Sequence, residues 1–195
     1  MSATLSPAFR ADASPPAANQ APSASSSSLA APLIRRAAVL GAGTMGSRIA
    51  AHLANAGLPV VLLDIVPAGA SDEGSDPKSR SRIATTAIDA LLKSKPAAFY
   101  EPSLARYLTP GNFEDDLNLL ADCDWVIEAV SEDLGIKQTL LAKIAPFLRP
   151  GAIVTTNTSG LPVASIAAGM PPRWPALRTP LSSGPPDSSP MPRNR

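Results

Sequence analysis

Cysteine and histidine are almost missing from this chain: Cys123 and His52 are the only ones among 195 residues. A single cysteine excludes an intrachain disulfide and a cysteine-clustered metal site, and it fits a reducing compartment. A cytoplasmic location is therefore the expectation. Excess charge of one sign is also missing, since Lys+Arg 17 stand against Asp+Glu 16 for a net charge of +1. No basic surplus is present to draw nucleic acid or an anionic membrane surface, so any bound anion must be held locally. No apolar run approaches the ~20 residues of a membrane-spanning helix.

Residues 1–33 form a Ser/Ala/Pro tract without the apolar stretch of a secretory signal. A disordered leader is expected there, with a transit peptide as the alternative. Residues 170–195 are as unusual, with eight prolines, four arginines and one acidic residue. That proline density forbids regular helix or central strand, so a tail is expected. Its Pro/Arg/Ser bias is also that of a GC-rich gene read out of frame, with the break near Met170 or Pro171.

Residues 34–169 alternate strand-like and helix-like patterns. Short unbroken apolar runs at Ala37 to Leu40, Val60 to Ile65, Trp125 to Val130 and Ile153 to Thr156 read as strands buried on both faces. Between them, three sets share helical faces: Met45, Ile49 and Leu53; Ile83, Ala87 and Leu91; Leu140, Ile144 and Leu148. Gly57, Pro96 and the pair Pro150–Gly151 supply stops. The pattern predicts an α/β fold, a Rossmann-type doubly wound parallel sheet, incomplete at its C-terminal edge.

The stretch AAVLGAGTMGSRIAAHLANAG carries the first chemistry. Gly41 can make the tight turn off the strand, Gly43 lets the backbone approach a pyrophosphate, and Gly46 lets the helix pack closely on the sheet. The turn Gly41, Ala42, Gly43, Thr44, Met45 and Gly46 is thus the expected cofactor-binding loop, its opening N–H groups facing phosphate. Asp64 follows eighteen residues past Gly46, where a carboxylate meets an adenosine ribose. It accepts from ribose hydroxyls and repels a 2′-phosphate, and no arginine follows within DIVPAGA, so NAD is the expected cofactor. The competing account is a glycine turn that binds nothing.

With GAGTMGSRIAAHLANAGLPVVLLDI, LTPGNFEDDL and DWVIEAVSEDLGIKQTLLAKIAPFLRPGAIVTTNTSGLPVASIA in view, the chain resembles the NAD-binding domain of the 3-hydroxyacyl-CoA dehydrogenases. It looks most like the long bacterial forms joined to an enoyl-CoA hydratase module. The resemblance implies that Glu132 and Lys137 sit beside the nicotinamide half of the cofactor. Ala129 and Val130, the last residues of their strand, would flank it; charge patterning alone leaves Glu132 and Lys137 as a solvated pair at a helix start. Ser159 matches the family serine that bonds the substrate hydroxyl and approaches the nicotinamide, and Asn157 lies at the same strand end; read alone, NTSG is an ordinary turn. The resemblance also sets Lys93 near the CoA phosphates, through a loose alignment; read alone, Lys93 is an exposed helix lysine.

The family's base is a histidine in a His-Phe-Phe-Asn-Pro block, oriented by a glutamate. Where that block is due, the chain reads LRTPLSSGPPDSS. His52, eight residues into the first helix, lies ~12 Å from the phosphate end and cannot replace it. Three functions stay open: a domain of a 3-hydroxyacyl-CoA dehydrogenase of fatty-acid β-oxidation, inactive as a fragment; a non-catalytic NAD-binding or interaction module; and a dehydrogenase domain for another hydroxy acid. An acyl-CoA is the expected substrate partner in full-length relatives. Self-association through the apolar, uncharged edge AIVTT is expected as well.

Overall fold

The computed structural model describes residues 33–70 and 76–170. The assigned leader and tail lie outside the described residues except for Leu33 and Met170. Met170 packs against the apolar core, so the packed domain reaches that residue.

Five parallel strands form one sheet in the order β3-β2-β1-β4-β5: β1 Ala37–Leu40, β2 Val60–Asp64, β3 Leu108–Asn112, β4 Trp125–Glu128 and β5 Ile153–Thr156. Every residue of β1 is buried, as expected when helices cover both faces of a parallel sheet. Because strand side chains alternate, Ala37 and Val39 enter one apolar cluster and Ala38 and Leu40 the other. The first cluster lies under α1 (Thr44–Asn55) and α3 (Arg82–Leu92). The second lies under α4 (Leu134–Ile144) and α5 (Val163–Ala167). This is the doubly wound, Rossmann-type arrangement. Among the described residues β5 is the last strand on its side.

The strand at the opposite edge has no strand-like pattern in the sequence: LTPGN forms β3, although Pro110 lacks a donor and Gly111 weakens strand propensity. An edge strand tolerates both, and β3 pairs only with β2. Its end is held by Asn112, whose buried side chain accepts from the Glu114 and Asp115 N–H groups and donates to Ser81 and Asp115. Arg80, at the end of α2 (Pro77–Arg80), grips the same Asp115 through Nε at 2.6 Å. That guanidinium holds the Asp115 carboxyl below its ordinary pKa.

Helix faces depart from the expected periodicity at α1. Its buried residues are Gly46, Ser47, Ala50, Ala51 and Ala54, whereas Met45 is 55% exposed and Ile49 and Leu53 are only partly covered. The helix lies so near the sheet that only small side chains fit between the backbones, and the larger ones are displaced to its flanks. In α3 the buried set is Ala84, Ile88 and Leu91, with Ile83 and Ala87 half-buried. Leu140, Ile144 and Leu148 are all buried as their spacing predicts. Among the described residues no helix is long and apolar enough to cross a membrane.

Candidate functional site

The strand order reverses between β1 and β4, and clefts open there at the carboxyl ends of the strands, where ligands of doubly wound sheets bind. Gly41 leaves β1 at φ +105, and a Cβ there would stand 2.7 Å from the Ala129 carbonyl oxygen. Only glycine suits both the conformation and the approach. At Gly46 a Cβ would stand 1.9 Å from the Gly41 oxygen, so the helix start rests directly on the turn. Over Gly43 nothing lies within 4 Å of such an atom.

Gly43 is the N-cap of α1, with no side-chain cap and no acidic residue in the first turn. The first i→i−4 bond, from the Ser47 N–H to the Gly43 carbonyl at 2.9 Å, leaves the N–H groups ahead of it free to meet an anion. Asp64 ends β2, and its carboxylate accepts from the Ala42 N–H at 2.5 Å and the Ile65 N–H at 2.7 Å. The acid expected to meet a ribose therefore also braces the glycine turn.

Of the three clefts that meet at this turn, two hold the expected site residues of β2, β4 and β5. The larger, about 750 Å³, brings together Gly41, Gly43, Asp64, Ala129 and Val130 with the apolar side chains of Ile65, Phe113, Ile136 and Leu140. Ile65 and Ile136 are 60% and 51% exposed, apolar surface set where a flat ring system can lie. Sequence reading missed these residues. The signal available was the hydrophobe directly after Asp64 and a second one in the first turn of α4. The other cleft, about 390 Å³, brings together Gly43, Thr44, Met45, Ala129, Val130, Glu132, Asn157 and Thr158. The Glu132 carboxylate also reaches the NTSG turn, lying 3.6 Å from where a Gly160 Cβ would be. Ser159 is exposed on that turn, two residues past Asn157. Lys93 stands exposed at the end of α3 and lines neither cleft.

Three expectations need correction. Strand β4 ends at Glu128, not Val130, because the Glu128 carboxylate accepts the Val130 N–H at 2.8 Å and closes the turn there. Lys137 is neither solvated nor paired with Glu132: its side chain is 0% exposed and its Nζ lies 2.6 Å from Glu128 Oε1. Its ammonium also donates to the Val130 carbonyl at 3.2 Å, and it lines neither cleft. Glu128 itself was counted within an apolar run, yet a buried carboxylate demands a cation, and Lys137 supplies it.

His52 is exposed on α1. Cys123 is fully buried, and burial pushes its thiol pKa up to about 11. The residues present fit NAD: uncapped N–H groups with open space above Gly43, a carboxylate at the end of β2 and an apolar slot beyond it.

The sequence model of the family described as "3-hydroxyacyl-CoA dehydrogenase, NAD binding domain" matches residues 36–174. A Bacillus subtilis (strain 168) protein named "Probable 3-hydroxyacyl-CoA dehydrogenase" is 46% identical over 143 residues, covering 70% of this chain and 18% of that protein. A Deinococcus radiodurans protein of the same name is 45% identical over 130 residues, covering 67% of this chain and 36% of the relative. The chain thus spans well under half of either relative. Among solved structures, 3-hydroxybutyryl-CoA dehydrogenase from Escherichia coli K12 matches with a TM-score of 0.56 and 31% identity, over 72% of this chain and 28% of the other. With the family model covering most of its length and the glycine turn, Asp64 and cleft in place, the chain belongs to the 3-hydroxyacyl-CoA dehydrogenase family, of which it carries the NAD-binding domain.

Proposed function

We propose that this domain serves the oxidation of 3-hydroxyacyl-CoA thioesters to 3-oxoacyl-CoA in fatty-acid β-oxidation, in the cytoplasm, and that this chain alone does not turn over. The observation that carries this reading is the smaller cleft: it adjoins the phosphate turn and is walled by Glu132 and Asn157, with the Ser159 turn at its edge. NAD⁺, when bound, supplies the hydride acceptor.

In this reading the α1 N–H groups hold the pyrophosphate, Asp64 accepts from the adenosine ribose, and the larger cleft takes the adenine between Ile65 and Ile136. Val130 and Ala129 floor the passage between the clefts, and Glu132 and Asn157 orient the nicotinamide half. The Ser159 hydroxyl bonds the substrate hydroxyl, and Lys93, exposed on α3, meets the CoA phosphates. The missing part is a base for the hydroxyl proton. Oxidation of an alcohol needs a group titrating near neutrality, and the only histidine, His52, is exposed on α1. General acid–base assistance is worth ~10² to 10⁴ in rate, which sets the size of the deficit.

Calorimetric titration of the full chain with NAD⁺ and then acetoacetyl-CoA in the presence of NADH tests this. NAD⁺ binding, a ternary complex weakened by Ser159→Ala, and no measurable NADH oxidation are expected. NAD⁺ binding without any CoA-ester binding would favour a non-catalytic NAD module, and turnover abolished by His52→Gln would refute the placement of the base.

A further inference from the structure

Beneath the two clefts lies a buried polar group that the functional reading leaves without a task. Glu128 and Lys137 are both 0% exposed. One carboxylate oxygen, Oε1, accepts from Lys137 Nζ at 2.6 Å and from the Val130 N–H at 2.8 Å. The other, Oε2, accepts from the Thr156 hydroxyl at 2.6 Å. Thr156 lies directly opposite Glu128 in the β4–β5 register, and its Oγ1 accepts in turn from the Thr158 N–H at 3.2 Å. The Asn157 N–H bonds the Glu128 carbonyl at 2.8 Å.

Two segments are thereby tied to one carboxylate. The first is the turn after β4, whose Val130 gives its N–H to Glu128 and its carbonyl to Lys137 while lining both clefts. The second is the turn after β5, which carries Asn157, Thr158 and Ser159. Burying two charges costs several kcal/mol per ion before their attraction repays it, so such a pair is a poor device for stability alone. Satisfied on every oxygen, it is a good device for fixing one geometry.

We propose that Glu128, Lys137 and Thr156 are positioning residues that set the NTSG turn against the cofactor cleft, with Lys137 acting through Glu128 and the Val130 backbone. The proposal rests on the functional reading above. Its consequence is that the two halves of the cofactor site are registered to each other by a buried hydrogen-bonded chain, not by contact with the ligand.

Thr156→Val, Thr156→Ser and the double variant Glu128→Gln with Lys137→Met test it in the full chain. Thr156→Val deletes only the hydroxyl, and the double variant leaves no orphaned charge, so both are expected to fold. NAD⁺ affinity is read by calorimetry, and amide hydrogen exchange is read at Val130 and Thr158. Thr156→Val is expected to weaken NAD⁺ roughly tenfold, the effect of one hydrogen bond to a charged group, with faster exchange at Thr158. Thr156→Ser, which keeps the hydroxyl, is expected to restore both. The double variant is expected to lose a similar factor although it carries no unpaired charge. Wild-type affinity in Thr156→Val and in the double variant, whatever their melting temperatures, overturns the inference while leaving the functional reading intact. Failure of the wild-type chain to bind NAD⁺ overturns both.

Discussion

Replacing Gly46 by alanine separates packing from intrinsic preference, because the two effects have opposite signs. Alanine is favoured over glycine inside a helix by ~1 kcal/mol. In α1, however, the added Cβ would stand 1.9 Å from the Gly41 carbonyl oxygen and 3.3 Å from the Ala129 Cβ. An ordinary carbon–oxygen contact is ~3.3 Å, so helix and turn must separate by more than an ångström. The obstructing atom is backbone, held by the Gly41 N–H bond to the Leu63 carbonyl at 2.7 Å, and it has no rotamer to adopt. Overpacking costs ~1 to 3 kcal/mol where side chains can give way. Taking about 3 kcal/mol here and returning the ~1 kcal/mol of propensity leaves Gly46→Ala destabilised by about 2 kcal/mol. For a domain of this size that lowers Tm by ~4 to 8 °C. Gly43→Ala is the control. With φ −66 and nothing within 4 Å of its Cβ, it should keep wild-type stability, yet it should lose NAD⁺ affinity because the methyl occupies the space above the turn. Thermal unfolding followed by circular dichroism, with NAD⁺ titration of both variants, gives the two readings. A Gly46→Ala chain as stable as wild type would refute the claim that α1 rests on the turn, and unchanged NAD⁺ affinity in Gly43→Ala would refute the placement of the pyrophosphate.

Titration with both dinucleotides should show NAD⁺ preferred over NADP⁺, with Asp64→Ala costing ~1 to 3 kcal/mol of NAD⁺ affinity for loss of a charged acceptor; equal affinities would count against Asp64. Asp124 has its carboxyl pKa lowered chiefly by the Arg35 N–H, and Asp115 by Arg80. A lowered folded-state pKa contributes stability above the unfolded value of ~3.9 that is lost as pH falls through the folded one. Tm should therefore hold from neutrality to mildly acidic pH and drop below about pH 4, and a variant carrying Asp115→Asn and Asp124→Asn should show a shallower acid drop in a pH series of melts. We propose self-association through β5, whose Ile153 and Val154 are apolar. Size-exclusion chromatography across concentrations should show oligomers that Ile153→Lys reduces, and a monomer throughout would sink the idea.

What could be read in advance was what depends on local pattern. The buried runs of β1, β2 and β5, the glycine turn and the acid after it all carry their reason within a few residues. Strand β3 does not: LTPGN makes sense only once its edge position is known, because a proline there need not continue the ladder on both sides. The buried face of α1 was misjudged for a related reason, since hydrophobic size points outward when a helix lies this close to a sheet. Lys137 shows the limit most plainly. Its position five residues past Glu132 suggests a solvated pair at the start of a helix, and nothing local reveals that Glu128, inside a strand, claims it instead.

The short bond from the Ala42 N–H to Asp64 bears on any attempt to redesign this domain for a phosphorylated cofactor. The obvious change removes the carboxylate to admit a 2′-phosphate. Here that change also strips the turn of the acceptor holding it to the end of β2, so pyrophosphate affinity falls together with the discrimination being engineered. A successful replacement must be neutral and still offer an oxygen to Ala42, which points to serine or asparagine, with the cation for the new phosphate introduced at the neighbouring exposed Ile65.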